Sequence, residues 1–290
     1  SLQDGCFGHA SVPSGASTGS KEATELRDGD CSRFHGKGVL KAVSNVNNRI
    51  APAIKGLDCL DQNAIDTILI ELDGTPLKKN LGANATLAVS LAVAHASAAS
   101  QGVEAYERFG QLLGIDCPRV LPMPMFNVLN GGVHARGSTD FQEFMLVPTG
   151  IADFPSALRA GSETYAVLHD ILASDGLTTM VGDEGGFAPP GLTTRSALDY
   201  VAQAIEASGY VLGEQIGIAL DPAASEFFHR PDQIYRLQRD GINLSSDEMV
   251  DMYESLVENY PIVSIEDALA EDDWNGWVEL TKRIGAEVQI

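Results

Sequence analysis

The chain has 290 residues, 44% of them hydrophobic and 20% charged, which is enough apolar material for a buried core and wrong for a disordered polypeptide. Its formal net charge of −21 argues against nucleic acid and acidic membranes as partners, because proteins that bind those surfaces cluster lysine and arginine. A phosphorylated substrate stays open, since a bound divalent cation reverses the local field.

In chain order, the opening segment through Pro13 reads as strand material broken by an Asp4-Gly5 turn. The small residues Ser14-Gly-Ala-Ser-Thr-Gly19 follow, a loop suited to a linker or a mobile lid. Periodicity predicts helices over 38–54, 62–71 and 83–101. Residues 81–103 carry no formal charge, yet their serines, threonine, asparagine and histidine make them too polar for a membrane span, and their alanines suit a packing helix. No basic segment followed by an apolar run opens the chain, so the expected location is the cytoplasm. Cys6, Cys31, Cys59 and Cys117 form no CxxC pair and read as reduced thiols.

Loss of periodicity near 110–118 predicts a boundary between a domain at 1–115 and another at 116–290. Beyond it, short apolar runs at 120–128, 141–147, 178–181, 216–220 and 262–265 are predicted strands, and 287–290 begins another. Helical patterns lie between the later runs. One spans 196–208, with Leu198, Val201, Ala202 and Ile205 on one face. Another starts after Ser245-Ser246 and turns Met249, Met252 and Leu256 inward. Strand and helix alternating in this way predict a parallel sheet, and so many repeats suggest a βα-barrel.

The acids fall in telling places. Glu143 lies inside one run, Glu184 closely follows another, and Asp221 and Glu266 directly follow two more. In a barrel the carboxyl ends of the strands converge on the face that holds the active site. Carboxylates gathered there repel one another, and a hard cation such as Mg²⁺ removes the conflict. Any single acid after a strand could instead cap the next helix. Asp183 reads as structural or as support behind the residues of the site. His9, His35, His95, His169 and His229 lack ligand-spaced partners, and Trp274 and Trp277 read as core anchors. The run Glu271, Asp272 and Asp273 reads as a helix N-terminus.

Seven segments together resemble the enolase family, in order and in spacing. They are Pro13-Ser-Gly-Ala-Ser-Thr-Gly19, Glu25-Leu-Arg-Asp-Gly-Asp30, Asn130-Gly-Gly-Val-His134, Gln142-Glu-Phe-Met145, Val181-Gly-Asp-Glu-Gly-Gly-Phe-Ala-Pro189, Asp221-Pro-Ala-Ala-Ser-Glu-Phe227 and Ser264-Ile-Glu-Asp267. The resemblance implies an N-terminal α+β domain followed by a βα-barrel with a ββαα start, here incomplete with about six of eight strands. It implies that Asp221 and Glu266 are two of three carboxylates holding Mg²⁺, with Glu184 as the acid that protonates a departing hydroxyl. Glu143, His134 and Gln142 match substrate contacts, with Glu143 also taking part in catalysis, and Ser17 matches the lid residue that helps bind a second Mg²⁺.

The reaction implied is the reversible dehydration of 2-phosphoglycerate to phosphoenolpyruvate in glycolysis and gluconeogenesis. Removing the C2 proton leaves a doubly charged aci-carboxylate, which two Mg²⁺ ions would stabilise. A full-length homodimer is also implied. In the family the third metal-binding Asp and the lysine base lie beyond the counterpart of Ile290, and a first strand precedes the counterpart of Ser1. The expectation is therefore a partial sequence, inactive alone. Ala268 stands where many members of the family have Pro or Gly, and Pro222 occupies a variable position; neither undermines the match. Competing readings are another enolase-superfamily enzyme acting beside a different carboxylate, or a noncatalytic relative that binds or builds.

Overall fold

The computed structural model describes residues 1–15, 18–115 and 120–290. They form two compact units, Ser1–Val120 and Leu121–Ile290.

Helices build the first unit. Helix α1 (Leu40–Asn45) runs through a π-helical turn, Val46–Ile50, into α2 (Ala51–Ile54), so the predicted helix over 38–54 is continuous but locally widened. Helix α3 (Gln62–Asp73) is capped by Asp61, whose carboxylate accepts the Ala64 N–H, and ends on Gly74 in the left-handed conformation that glycine adopts without strain. Helix α4 covers Ala83–Gln101, as its alanine-rich pattern predicts. Ile50, Ile65, Leu69, Leu81 and Ala85 form this unit's core. Before Pro13 the expected turn is present, with the Gly5 N–H donating to the Leu2 oxygen at 3.2 Å. The rest of that opening has no regular secondary structure and pairs with no strand among the described residues. A strand needs a neighbour's hydrogen bonds, and sequence pattern alone does not supply one. Helix α5 (Ala105–Leu113) lies where periodicity looked lost; its Glu104–Glu107 capping box starts it and Gly114 stops it.

The second unit is layered around a sheet of β1 (Phe126–Asn130), β2 (Glu143–Val147), β3 (Gly217–Asp221) and a later strand, Ile262–Ile265. Helix α6 (Phe154–Ser174) follows β2, and α7 (Thr194–Ala207) precedes β3. After β3 comes a small antiparallel sheet of β4 (Phe228–His229), β5 (Ile234–Leu237) and β6 (Ile242–Leu244), and then α8 (Ser246–Asn259). Strand β7 (Ile262–Ile265) and helix α9 (Trp274–Ile284) complete the regular elements.

Strands β1, β2 and β3 pair antiparallel, and β3 pairs parallel with β7. Phe187 bridges to Leu129 beyond β1, and Gln289 bridges to Ser264 beyond β7, so six chain segments stand side by side. The apolar run at 178–181 makes only a single bridge, from Val181 to Phe187. Its backbone turns at once into the glycine-rich loop that follows.

Every residue of β3 is buried, as the middle of a covered sheet requires. Helix α6 buries Ala157, Ala160, Gly161, Thr164, Leu168 and Leu172, a stripe at helical spacing. A Cβ on Gly161 would meet the Phe126 ring at 2.6 Å, so glycine lets α6 approach β1. Leu198, Val201 and Ile205 of α7 and Met249 and Leu256 of α8 are buried as predicted, whereas Met252 is half-buried. Each helix has its own side-chain cap: Asp153 for α6, Thr193 for α7, Ser245 for α8 and Asp273 for α9. Trp274 is no core anchor, because it stands on the outer face of α9 and is 70% exposed. Trp277 is half-buried, and its indole N–H donates to the Ala270 oxygen at 3.0 Å.

Candidate active site

Strand register places the acids. Asn130 of β1 stands opposite Glu143 of β2, and Glu143 stands opposite Asp221 of β3. Ile265 pairs with Leu220, so Glu266 comes next on the neighbouring strand, its N–H donating to the Leu220 oxygen at 2.9 Å. One end of the sheet therefore carries Asn130, Glu143, Asp221 and Glu266 in a row. Gln142, one residue before Glu143, is held by backbone bonds on both sides. Its N–H donates to the Asp221 oxygen at 3.1 Å, and its oxygen accepts the Gly131 N–H at 2.9 Å.

Glu184 reaches this row from the loop after Val181. Its Oε2 accepts from Asn127 Nδ2 at 3.0 Å and from Asn130 Nδ2 at 3.3 Å. Its Oε1 lies 3.4 Å from Nε2 of the buried His134. Asn130 is wholly buried and also accepts the Gly186 N–H at 2.9 Å through Oδ1. Cβ atoms on Gly182 or Gly186 would fall within 3.0 Å of the Asn130 side chain, so both glycines permit the loop to close on it. Tyr165 of α6 holds the same loop from outside, donating its hydroxyl to the Gly185 oxygen at 2.7 Å. The Asp183 side chain is absent from this network; its N–H donates to the His134 oxygen at 3.4 Å.

Burial, and then crowding of like charges, raises the proton affinity of two carboxylates in the row. Burial, followed by the neighbouring Glu184 and then Asp221 and Glu266, pushes Glu143 up to about 8. Burial also pushes Asp221 up to about 7, aided by Glu266, Asp267 and Glu184 and opposed by a hydrogen bond from the Ala223 N–H. The buried Nε2 of His134 and Oε1 of Gln142 have no hydrogen-bond partner. Buried polar atoms without hydrogen bonds at one strand end, beside carboxylates that resist ionising, suit a polar ligand and a cation. Asp221 and Glu266, hard oxygen donors on adjacent strands, fit a Mg²⁺ ion. Among the described residues, no group of three or more His, Cys, Asp or Glu side chains could hold a metal.

Residues 118–290 match the family model described as "Enolase, C-terminal TIM barrel domain", and residues 1–109 match "Enolase, N-terminal domain". The chain belongs to the enolase family. Membership brings an enolase-superfamily, lyase-type function, and the mixed α/β architecture agrees with an enolase-type fold. No described helix is long and apolar enough to cross a membrane.

Of the residues expected from sequence, the structure brings Glu143, Asp221, Glu184, His134 and Gln142 together in the second unit, with Glu266 beside Asp221 in the strand order. Ser17 lies outside the described residues. Asn127, Asn130 and Tyr165 escaped sequence reasoning as positioning residues. Asn130 offered one signal, as a polar residue at the end of an apolar run. Asn127 offered none, because residues three apart on a regular strand face opposite sides. A bulge between Asn127 and Leu129 changes the facing, so both amides reach one carboxylate.

Proposed function

We propose that the site serves the reversible Mg²⁺-dependent dehydration of 2-phosphoglycerate to phosphoenolpyruvate. The observation that carries this reading is the row of Glu143, Asp221 and Glu266 at one sheet end, with Glu184 and His134 facing it. Asp221 and Glu266 would hold the higher-affinity Mg²⁺, and Ser17 would contribute to a second. Bound cations supply positive charge where the substrate carboxylate gains negative charge.

Glu184 is the acid for the departing C3 hydroxyl, and the Asn127 and Asn130 amides fix its carboxyl in place. Glu143 takes part in catalysis by holding a proton in this cluster near neutral pH, and it contacts substrate with His134 and Gln142. A base for the C2 proton completes the chemistry. The resemblance assigns that role to a lysine that matches no position among these residues, and it makes the proposed enzyme a cytoplasmic homodimer.

The test follows phosphoenolpyruvate at its ultraviolet absorbance in the presence of Mg²⁺. The 290-residue chain alone should show no activity above its Glu184→Gln variant. In a chain extended through the lysine, turnover should appear, and Glu184→Gln should lower kcat by about 10²-fold or more. Turnover indifferent to Glu184 in the extended chain would refute the assignment.

A further inference from the structure

Although the chain carries a net charge of −21, three arginines line one cavity of the second unit, about 440 Å³ in volume. The cavity lies between the loop from Gly132 to Asp140 and the hairpin strands, and Glu143, Glu184, Asp221 and Glu266 do not line it. Asp140 builds it. Its carboxylate accepts three successive backbone N–H groups, from Gln238 at 3.0 Å, Arg239 at 2.7 Å and Asp240 at 3.1 Å. That clamp sets the end of β5 against the loop. It brings Arg239 over Gly137, where a Cβ would lie 3.6 Å from the guanidinium and φ is +99°.

The nearby acids are mostly committed elsewhere. Asp240 accepts from Thr194 N–H and Oγ1 at the start of α7, at 3.0 and 2.6 Å. Asp232 pairs with Arg236 at 2.5 Å and with His229 at 3.0 Å. The guanidinium groups of Arg136 and Arg239 are different. Among the described residues, neither makes a hydrogen bond or an ion pair, although the chain has about twice as many acids as basic residues. Two unpaired guanidinium groups lining one cavity supply the donors that a phosphate group accepts. Glu226 also lines the cavity; it would repel a second anionic group but accept hydrogen bonds from hydroxyls.

We propose that this cavity binds a phosphorylated polyol or sugar, with its phosphate on Arg136 and Arg239 and its hydroxyls toward Glu226 and Gln238. Gly132 and Val133 line the same cavity and directly precede His134, so an occupant would touch the loop that carries a residue of the acid-lined site. Binding needs neither Mg²⁺ nor the chemistry proposed above.

Calorimetric titration of the 290-residue chain in the presence of a chelator tests the proposal, with glucose 6-phosphate and inorganic phosphate as probes. The sugar phosphate should bind more tightly than inorganic phosphate. Arg136→Ala and Arg239→Ala should each weaken it by about tenfold or more, and Glu226→Gln should shrink its advantage over phosphate. Both arginines are exposed and unpartnered, so circular dichroism of these variants should match the parent. Asp221→Asn should leave the affinity unchanged. Failure of the sugar phosphate to bind, equal affinity for both probes, or parental affinity in the arginine variants would overturn the proposal. Loss of binding in Asp221→Asn would overturn it too, by placing the anion in the acid-lined site.

Discussion

Without a divalent cation, raising the pH should destabilise this fold, and Glu143→Gln should remove a defined part of that loss. Glu143 is pushed from 4.5 to about 8 in the folded protein, first by burial and then by its carboxylate neighbours. Between those two values the native state binds more protons than the unfolded chain. The stabilising contribution is therefore complete below about pH 4.5 and is lost as pH rises through about 8. Taken at face value the rise corresponds to about 5 kcal/mol, at about 1.4 kcal/mol per pH unit. Glu143 is only half-buried, so solvent screening reduces this to about 2 kcal/mol. Asp221, raised to about 7, contributes a loss of the same sign. Urea midpoints of the parent and Glu143→Gln, measured with a chelator at constant ionic strength from about pH 5 to about pH 9, isolate the Glu143 share. The variant should gain about 2 kcal/mol on the parent across that range. A gap constant to within about 0.5 kcal/mol would refute the reasoning, because Glu143 would then titrate alike in both states.

Other perturbations read different parts of the same site. Near pH 8, Mg²⁺ should raise the urea midpoint of the parent, by about 2.7 kcal/mol at a hundredfold excess over Kd. Glu266→Gln should abolish most of that gain, and an undiminished gain would remove Glu266 from the metal's ligands. Asn130→Ala leaves the Gly186 N–H without its partner and should cost about 2 kcal/mol with m unchanged. A loss under about 0.5 kcal/mol would show that the loop does not depend on this amide. Gly161→Ala drives a methyl into the Phe126 ring and should cost about 1–3 kcal/mol by overpacking, less about 1 kcal/mol of helix propensity. A midpoint equal to or above the parent's would mean that α6 can back away from β1.

What sequence disclosed here was mostly what repeats along the chain. Helix α4 was legible at both ends, because a run of alanines bounded by Gly82 and Gly102 leaves little choice. Strand β3 was legible because a covered strand reads as an apolar run, and β7 because its run is apolar apart from Ser264. Helix α5 was hidden, since its start depends on Glu104 and Glu107 bonding to each other's backbone rather than on a long apolar stripe. The opening was over-read as strand for the opposite reason: its pattern speaks of one chain segment, and a ladder needs two. At the site, the positions of Asp221 and Glu266 just past apolar runs were visible. Their company was not. Asn127 depends on a bulge, Tyr165 on the packing of α6, and Asp140 on a hairpin about 100 residues away.

The caps decide between two meanings for those acids. An acidic residue after a strand has an ordinary occupation, which is to accept the first N–H groups of the next helix. Here that occupation is filled by others. The next α-helix after Glu184 is capped by Thr193, the one after Asp221 by Ser245, and the one after Glu266 by Asp273, while the short 3-10 turn Ala224–Glu226 just past Asp221 has no side-chain cap. Asp221 accepts one N–H, from Ala223, and keeps a raised proton affinity even so. Glu143 lies inside its strand and caps nothing. A folded chain gains no stability from lining carboxylates along one sheet edge, since burial and mutual repulsion both count against it. The arrangement becomes favourable when something positive joins the row. That is the physical content of the Mg²⁺ assignment, and it explains why the Glu266→Gln and Glu143→Gln experiments should be read together. One removes a hard oxygen ligand, the other removes a competing charge, and only a cation bound at this strand end makes their effects on the Mg²⁺-dependent midpoint differ.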